Sequence, residues 1–80
     1  MNSFWDSCLE YFKTVLSSQQ YKTWVHPLDG AIINGEIVIV APNRFLLVWA
    51  RDNYSKDLKR LAKDSSGSQL PIRFTLKFVR

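Results

Sequence analysis

The 80-residue sequence has few of the residues that build disulfides, metal sites and nucleophilic centres, with one cysteine and one histidine. Cys8 has no second thiol for an internal disulfide or a metal pair, which favours a reducing compartment. His26 lies in a tight "HPLD" turn, without the second and third groups that nucleophilic catalysis needs. We therefore expect no enzymatic activity, no metal and no cofactor in this chain. A small hydrolase that uses His26 is a competing hypothesis with little support.

Long apolar runs and targeting segments are also absent from the sequence. No continuous apolar stretch approaches the ~20 residues that span a bilayer. The opening "MNSFWDS" lacks the basic and apolar regions of a signal peptide. The three glycines form neither a phosphate-binding loop nor a dinucleotide fingerprint. These absences predict a soluble cytoplasmic protein without a transmembrane segment.

Acidic residues are the minority charge, since eleven Lys and Arg stand against seven Asp and Glu and leave a net charge of +4. This excess favours an anionic partner, but it is modest for a dedicated nucleic-acid-binding protein. Much of the positive charge lies late in the chain, where Lys56, Lys59 and Arg60 alternate with acidic residues. Such a mixture is typical of a solvated helix face.

Apolar and aromatic residues are plentiful, at 46% and 14% of the chain, and predict a compact core. Apolar residues at helical spacing predict a first helix over residues 4–16. Ser17 and Gln20 have the form of a capping box, which predicts a second, short helix. Pro27 is expected to end that helix, because the residue before a proline is pushed away from helical geometry.

The second half of the chain reads as a hairpin, a long helix and a strand. Two β-branched runs flank Asn34-Gly35, the pair best suited to a two-residue type I′ turn. Asn43 is positioned to cap a third helix. After a polar loop, "IRFTLKFV" alternates as a strand with one buried face does. The order α-α-β-β-α-β predicts a two-layer α+β fold, in which the helices pack on one face of a three-stranded sheet.

The aromatic residues exceed what one inward helix face can bury. The third helix is expected to bury its inward side, so Phe45 and Trp49 cannot both share that side unless it is unusually broad. Trp5, at the first turn of the first helix, either completes the core or stands at its edge. Exposed aromatics near a helix end are typical anchors for protein contacts. The inward side of the third helix is predicted to comprise Leu47, Ala50, Tyr54, Leu58 and Leu61, and the core to include Trp24, Trp49, Tyr54, Leu58, Phe74 and Leu76, with Phe78 on the buried side of the last strand.

The order of "W…CLEYFK", "YKTWVHPL" and "VIVAPNRFLLVWARDNY", followed by an alternating strand, is similar to that in the N-terminal domains of the bacterial replication initiator DnaA. The resemblance runs from Trp5 to Phe78. Its most specific part is "APNRF" followed by Trp49, Arg51 and Tyr54. The resemblance implies a fold like the K-homology type, with the same order of helices and strands.

The resemblance also implies a function. In that family the domain self-associates weakly, contacts the replicative helicase and is docked by regulatory proteins. The full-length initiator continues through a linker to an ATP-binding AAA+ module and a helix-turn-helix domain that binds origin DNA, and neither is in this chain. We therefore expect residues 1–80 to be a single, non-catalytic N-terminal interaction domain of a longer initiator.

Three residues take roles by position from the resemblance. Trp5 matches the aromatic residue associated with self-association. Phe45 matches the aromatic of the asparagine-arginine-phenylalanine motif associated with helicase contact. Gln20 falls where some relatives carry an acidic residue that contacts the helicase, so this chain keeps the hydrogen bonding there and loses the charge.

The K-homology-like fold raises an alternative function, direct binding of single-stranded DNA. Lys56, Lys59 and Arg60 would suit such binding. K-homology domains grip the nucleic-acid backbone with a G-x-x-G loop, and the sequence contains none. Binding of this kind is therefore expected to be weak, salt-sensitive and secondary.

Overall fold

The computed structural model describes residues 3–77, and within them the predicted element order is confirmed. Phe78, predicted to lie on the buried side of the last strand, is outside the described residues. The helices and strands, in chain order, are α1 (Ser3–Val15), α2 (Ser18–Gln20), a π-helical segment that follows it directly (Tyr21–Val25), β1 (Asp29–Ile33), β2 (Glu36–Ala41), α3 (Arg44–Ser66) and β3 (Ile72–Leu76).

The sheet has the strand order β1-β2-β3. β1 and β2 form the predicted antiparallel hairpin, whose last pair, Ile33 and Glu36, leaves Asn34 and Gly35 as the two turn residues. Both have positive φ angles, 52° and 75°, as a type I′ turn requires. β3 pairs with β2 in parallel, after the crossover made by α3. The predicted α+β fold with a three-stranded sheet is thus confirmed.

The core lies between the helices and one face of the sheet. On β2, Ile37, Ile39 and Ala41 point to this inner face and are almost completely buried. Val38 lies between them on the opposite face and is not part of the helix-covered cluster. The core cluster comprises Phe4, Trp5, Cys8, Phe12, Val25, Leu28, Ile37, Ile39, Ala41, Leu46, Ala50, Tyr54, Leu58 and Ala62.

The ends of α3 are fixed by two residues. The Asn43 side chain accepts a hydrogen bond from the Leu46 N–H at 2.9 Å, so the predicted N-cap is confirmed. At the other end Gly67 adopts the left-handed conformation, with φ 80°, and its N–H bonds to the Lys63 carbonyl at 2.8 Å.

The inward side of α3 differs in detail from the prediction. Its buried residues recur at intervals of four, whereas Leu47 and Leu61, predicted on this side, are only half-buried at its margins. An interval of four exceeds the 3.6-residue turn, so the buried line winds slowly around the helix. A prediction based on one fixed helix face is therefore wrong at both ends of this buried line. The buried residues of α3 are Leu46, Ala50, Tyr54, Leu58 and Ala62.

The predicted capping box at the second helix is confirmed. The Gln20 N–H donates to the Ser17 hydroxyl, and the Ser17 N–H donates to the Gln20 side-chain carbonyl, each at 3.1 Å. The helix ends before Pro27 as expected, but the reason we gave was wrong. His26 keeps helical angles, φ −53° and ψ −39°, and its N–H closes the last π-type bond to the Tyr21 carbonyl. The missing N–H of Pro27 therefore ends the segment.

Trp5 completes the core, and the prediction that it lies at the edge of the core is wrong. Its side chain is 6% exposed. The indole lies directly on Gly30 of β1, where an added Cβ would come within 2.6 Å of its Cε3 atom. Real Cβ atoms do not approach this closely, so the absence of a side chain at Gly30 makes room for the ring.

Four predicted core residues are less buried than expected. Trp24 and Trp49 are half-buried, and they pack against the margin of the core. Leu76 is 44% exposed and is not a core residue. It is the last residue of the edge strand β3 and has a neighbouring strand on one side only, at Ala41. Phe74 is half-buried, whereas Tyr54 and Leu58 are buried as predicted.

The contact between Trp5 and Gly30 leads to a prediction about stability. Gly30→Ala is expected to lower the free energy of unfolding by about 1–3 kcal/mol, because the new methyl group overpacks the indole. In a Trp5→Leu background, where the ring is absent, the same Gly30→Ala change is expected to cost much less. Urea titrations of the four chains of this double-mutant cycle measure the coupling. Equal costs in both backgrounds would contradict the contact.

Candidate docking site

Three aromatic side chains form a cluster where the π-helical segment meets the start of α3. We call Trp24, Phe45 and Trp49 the aromatic platform. The rings of Trp24 and Trp49 are stacked, with centroids 3.9 Å apart and planes 12° apart. Phe45 is tilted against Trp24 at 5.5 Å. The three rings therefore hold one another in place.

The local structure explains why these rings meet. Asn43 fixes the first turn of α3, so Phe45 and Trp49 follow on one side of the helix at an interval of four. Within the π-helical segment, the adjacent residues Trp24 and Val25 divide between surface and core, since Val25 is fully buried and Trp24 is not. The wider π turn is often found at functional positions.

The platform is accessible although it is ordered by its own contacts. Phe45 is 67% exposed, the most exposed of the large hydrophobic residues within residues 3–77. The Trp49 indole N–H donates a long hydrogen bond, 3.4 Å, to the hydroxyl of the buried Tyr54. The rings of the platform are held by their mutual contacts and by this hydrogen bond, so they lose little side-chain entropy when a partner covers them. This is the property of a binding anchor.

Of the three residues assigned contact roles from the sequence, two lie on this side of the molecule. Phe45 belongs to the platform, and Gln20 is exposed one turn before Trp24. The side-chain carbonyl of Gln20 is engaged in the capping box, which leaves the amide NH₂ group as the part of this exposed side chain that could donate to another molecule. Trp5 is apart from them, packed between α1 and Gly30.

The stack of Trp24 on Trp49 was not predicted from the sequence, which indicated that both residues belong to the core. The interval of four between Phe45 and Trp49 was a usable signal, because it sets both rings on one side of α3. The position of Trp24 could not be predicted in this way, because it depends on a π turn for which the sequence shows no local pattern.

A second surface feature lies on the C-terminal half of α3. Lys56, Lys59, Arg60 and Lys63, which we call the basic stripe, line a shallow groove of about 300 Å³ together with Gln69. Arg60 makes a weak contact with Asp57 at 3.7 Å and covers the ring of Tyr11 at 4.9 Å. The three residues named as DNA-contacting candidates, Lys56, Lys59 and Arg60, are thus brought together.

The single cysteine is buried, whereas the single histidine is exposed. Cys8 is fully buried, and its burial raises the pKa of the thiol to about 12, so it remains protonated at neutral pH. His26 is exposed beside the ring of Tyr21. Among residues 3–77 no group of His, Cys, Asp or Glu side chains could hold a metal ion. Nor does this part of the chain contain a helix that is long and apolar enough to cross a membrane.

Comparison with known proteins places the chain in a family. The profile of the DnaA N-terminal domain matches residues 2–64. The chromosomal replication initiator protein DnaA of Nitrosomonas europaea is 32% identical over 80 residues, which cover 96% of this chain and 17% of that protein. That of Nitrosospira multiformis is 34% identical over 79 residues, covering 94% and 17%. That of Methylobacillus flagellatus is 34% identical over 76 residues, covering 95% and 16%.

The chain therefore spans about a sixth of the length of these replication initiators. The part that matches contains the whole aromatic platform and the basic stripe, since both lie within residues 24–63. The profile covers most of the chain and the relatives cover nearly all of it, so this chain belongs to the DnaA N-terminal domain family.

Proposed function

We propose that this chain is the docking and assembly module of a replication initiator. The observation that carries this proposal is the aromatic platform, in which Phe45 is 67% exposed and supported by the stacked Trp24 and Trp49. An exposed ring on a fixed base is suited to protein contact. Membership of the DnaA N-terminal domain family supports replication initiation as the setting.

The partner proposed for the platform is the replicative helicase. The phenyl ring of Phe45 would enter an apolar recess of the helicase, and Trp24 and Trp49 would surround it and exclude water. Gln20 would add a hydrogen bond from its free amide NH₂ group, in place of the acidic contact that some relatives carry at this position. Regulatory proteins that dock on the domain would compete for the same rings.

Self-association is proposed as a second activity, with a changed role for Trp5. Because its ring is buried, Trp5 would act from beneath, by holding α1 against Gly30 of β1. The half-buried side chains beside it, Leu9 of α1 and Ile32 of β1, would make the contact itself. Such a contact can be weak in solution, since initiators aligned on DNA bring the domains together at high effective concentration.

The proposed module would act within a longer cytoplasmic protein. ATP binding by an AAA+ module and recognition of origin DNA by a helix-turn-helix domain would reside in the remainder of the initiator. In this chain we propose neither catalysis nor a cofactor. The burial of Cys8, which raises the pKa of its thiol to about 12, supports this proposal, because a protonated thiol is a poor nucleophile.

Binding of single-stranded DNA by Lys56, Lys59 and Arg60 is the alternative function. Their convergence on one groove favours an anionic ligand. However, the rings on this face offer few free surfaces for a base to stack on. Trp24 and Trp49 cover each other, and Arg60 covers Tyr11. We therefore rank protein docking above DNA binding.

Replacing Phe45 tests the helicase proposal. Phe45→Ala is expected to weaken binding to the purified helicase at least tenfold, because truncating a hot-spot aromatic typically costs about 2 kcal/mol or more. The circular dichroism spectrum and the melting temperature should change little, since the side chain is exposed. Ile33→Ala is the matched control, because Ile33 is also an exposed hydrophobic residue but lies on the hairpin. Equal helicase affinity of the two variants would remove Phe45 from the site.

Replacing Gln20 tests the second contact. Gln20→Glu preserves the capping box, since a glutamate oxygen also accepts the Ser17 N–H, so the melting temperature should stay the same or rise slightly. If the helicase presents a cation here, its affinity should rise severalfold at low salt, and the gain should disappear at high salt. Isothermal titration at two salt concentrations measures both effects. Unchanged affinity at low salt would argue against a contact through Gln20.

A further inference from the structure

The outer face of α3 joins the aromatic platform to the basic stripe. At 100° per residue, Phe45, Trp49, Lys56 and Lys63 point within about 40° of one another around the helix axis. Lys59 and Arg60 flank this line, on either side and within about 60° of Phe45. All four basic residues are exposed, which agrees with this placement. From Phe45 to Lys63 the face is about 27 Å long, 18 residues at about 1.5 Å each.

The basic stripe carries charge that the chain does not neutralise. Within residues 3–77, no carboxylate lies within ion-pair distance of the ammonium groups of Lys56, Lys59 or Lys63. Like charges three and four residues apart destabilise a helix. The helix dipole offsets this for Lys63, which is in the last turn of α3, but not for Lys56, which is ten residues from the helix end. An unpaired row of this kind is complementary to an acidic partner.

Asp52 is the single acidic side chain of α3 that lies on this outer face. It is located between the platform and the stripe, and Arg51 pairs with it at 3.2 Å. The face therefore has three parts: an aromatic end, a short neutralised middle and a cationic end. This order fits a ligand that changes character along its length.

We propose that the outer face of α3 is one docking site for a protein segment that is apolar where it covers Phe45 and acidic where it follows Lys56, Lys59 and Lys63. This inference rests on the proposed function, because it extends the helicase contact along the helix. The platform would hold the segment, and the stripe would attract it and set its direction. A reversed segment would place carboxylates on the rings and apolar groups on the lysines.

The rings on this face favour a protein segment over a nucleic acid. A single strand is usually gripped by cations interleaved with aromatic rings on which bases stack. Here the basic stripe and the exposed ring of Phe45 occupy opposite ends of α3, and the ring of Tyr11 beside the stripe is covered by Arg60. Bases would therefore have no exposed ring to stack on next to the basic stripe. Carboxylates do not need such a ring to bind the lysines.

The proposal predicts how the charges act in binding. Charges at the margin of a site mainly raise the association rate and its dependence on salt, whereas a buried anchor mainly slows dissociation. The stripe should thus control the rate of helicase association, and Phe45 should control the rate of dissociation. The Debye length falls from about 30 Å at 0.01 M salt to about 3 Å at 1 M, so high salt should remove the contribution of the stripe.

The test is the triple variant Lys56→Gln, Lys59→Gln, Lys63→Gln in the whole chain, measured against immobilised purified helicase by surface plasmon resonance. Glutamine keeps the helix propensity of lysine and removes the charge. We expect an association rate about tenfold lower at low salt, an almost unchanged dissociation rate, and no difference from the native chain at high salt. The matched control, Lys13→Gln, Arg73→Gln, Lys77→Gln, removes the same number of charges from α1 and the end of the sheet. It should associate at close to the native rate.

The outcomes separate this inference from the proposed function. If Phe45→Ala weakens binding while the triple variant and the control associate at equal rates, the extended site is wrong and the helicase contact stands. If neither Phe45→Ala nor the triple variant has an effect, both proposals fail. A fluorescence titration with a labelled twelve-nucleotide thymidine strand adds a third arm. Submicromolar binding of that strand at moderate salt, lost in the triple variant, would identify the stripe as a nucleic-acid site and overturn the proposal.

Discussion

The stack of Trp24 on Trp49 is the contact on which the candidate site depends. It joins a short π-helical segment, which could not be stable alone, to the long helix α3. It also explains why Phe45 is exposed yet ordered, since the neighbouring position is filled by Trp24 at 5.5 Å. Two rings that would otherwise be hydrophobic surface thus support a third. A small domain thereby presents one accessible aromatic residue without exposing three.

Trp5, the third tryptophan, is buried in the core and does not contribute to the aromatic surface. Trp5 is buried because Gly30 has no side chain, and the edge strand can then approach the indole closely. The ring and the glycine lie 25 positions apart in the sequence. Any larger side chain at Gly30 would have to push α1 away from β1. The lack of a Cβ atom at Gly30 therefore determines how closely the first helix packs on this strand. The role proposed for Trp5 in self-association changes accordingly, from contact to support.

The sequence predicted the fold, its hairpin turn and its helix caps well, and the candidate site less well. The hairpin at Asn34-Gly35, the capping box at Ser17 and the cap at Asn43 depend on residues within a few positions of one another, and each was readable. The burial of Trp5 depends on a distant glycine. The exposure of Trp24 depends on a π turn, and that of Leu76 on its place at the end of an edge strand. The exposure of each of these three side chains depends on its neighbours in the folded structure. The periodicity of apolar residues in the sequence does not identify those neighbours.

Core packing constrains the inner side of α3 more than its outer side, and this difference helps to interpret the outer face. The inward line from Leu46 to Ala62 is fixed by packing, because each of its residues meets the core. On the outer face Trp49 still contributes to folding through its stack on Trp24, whereas Phe45 and the lysines of the basic stripe are exposed and are not part of the core. The exposed ring of Phe45 at one end opposes solubility, and the unpaired lysines at the other end oppose helix stability. Since folding requires neither arrangement, an external partner is the simplest physical reason for finding them on the same face.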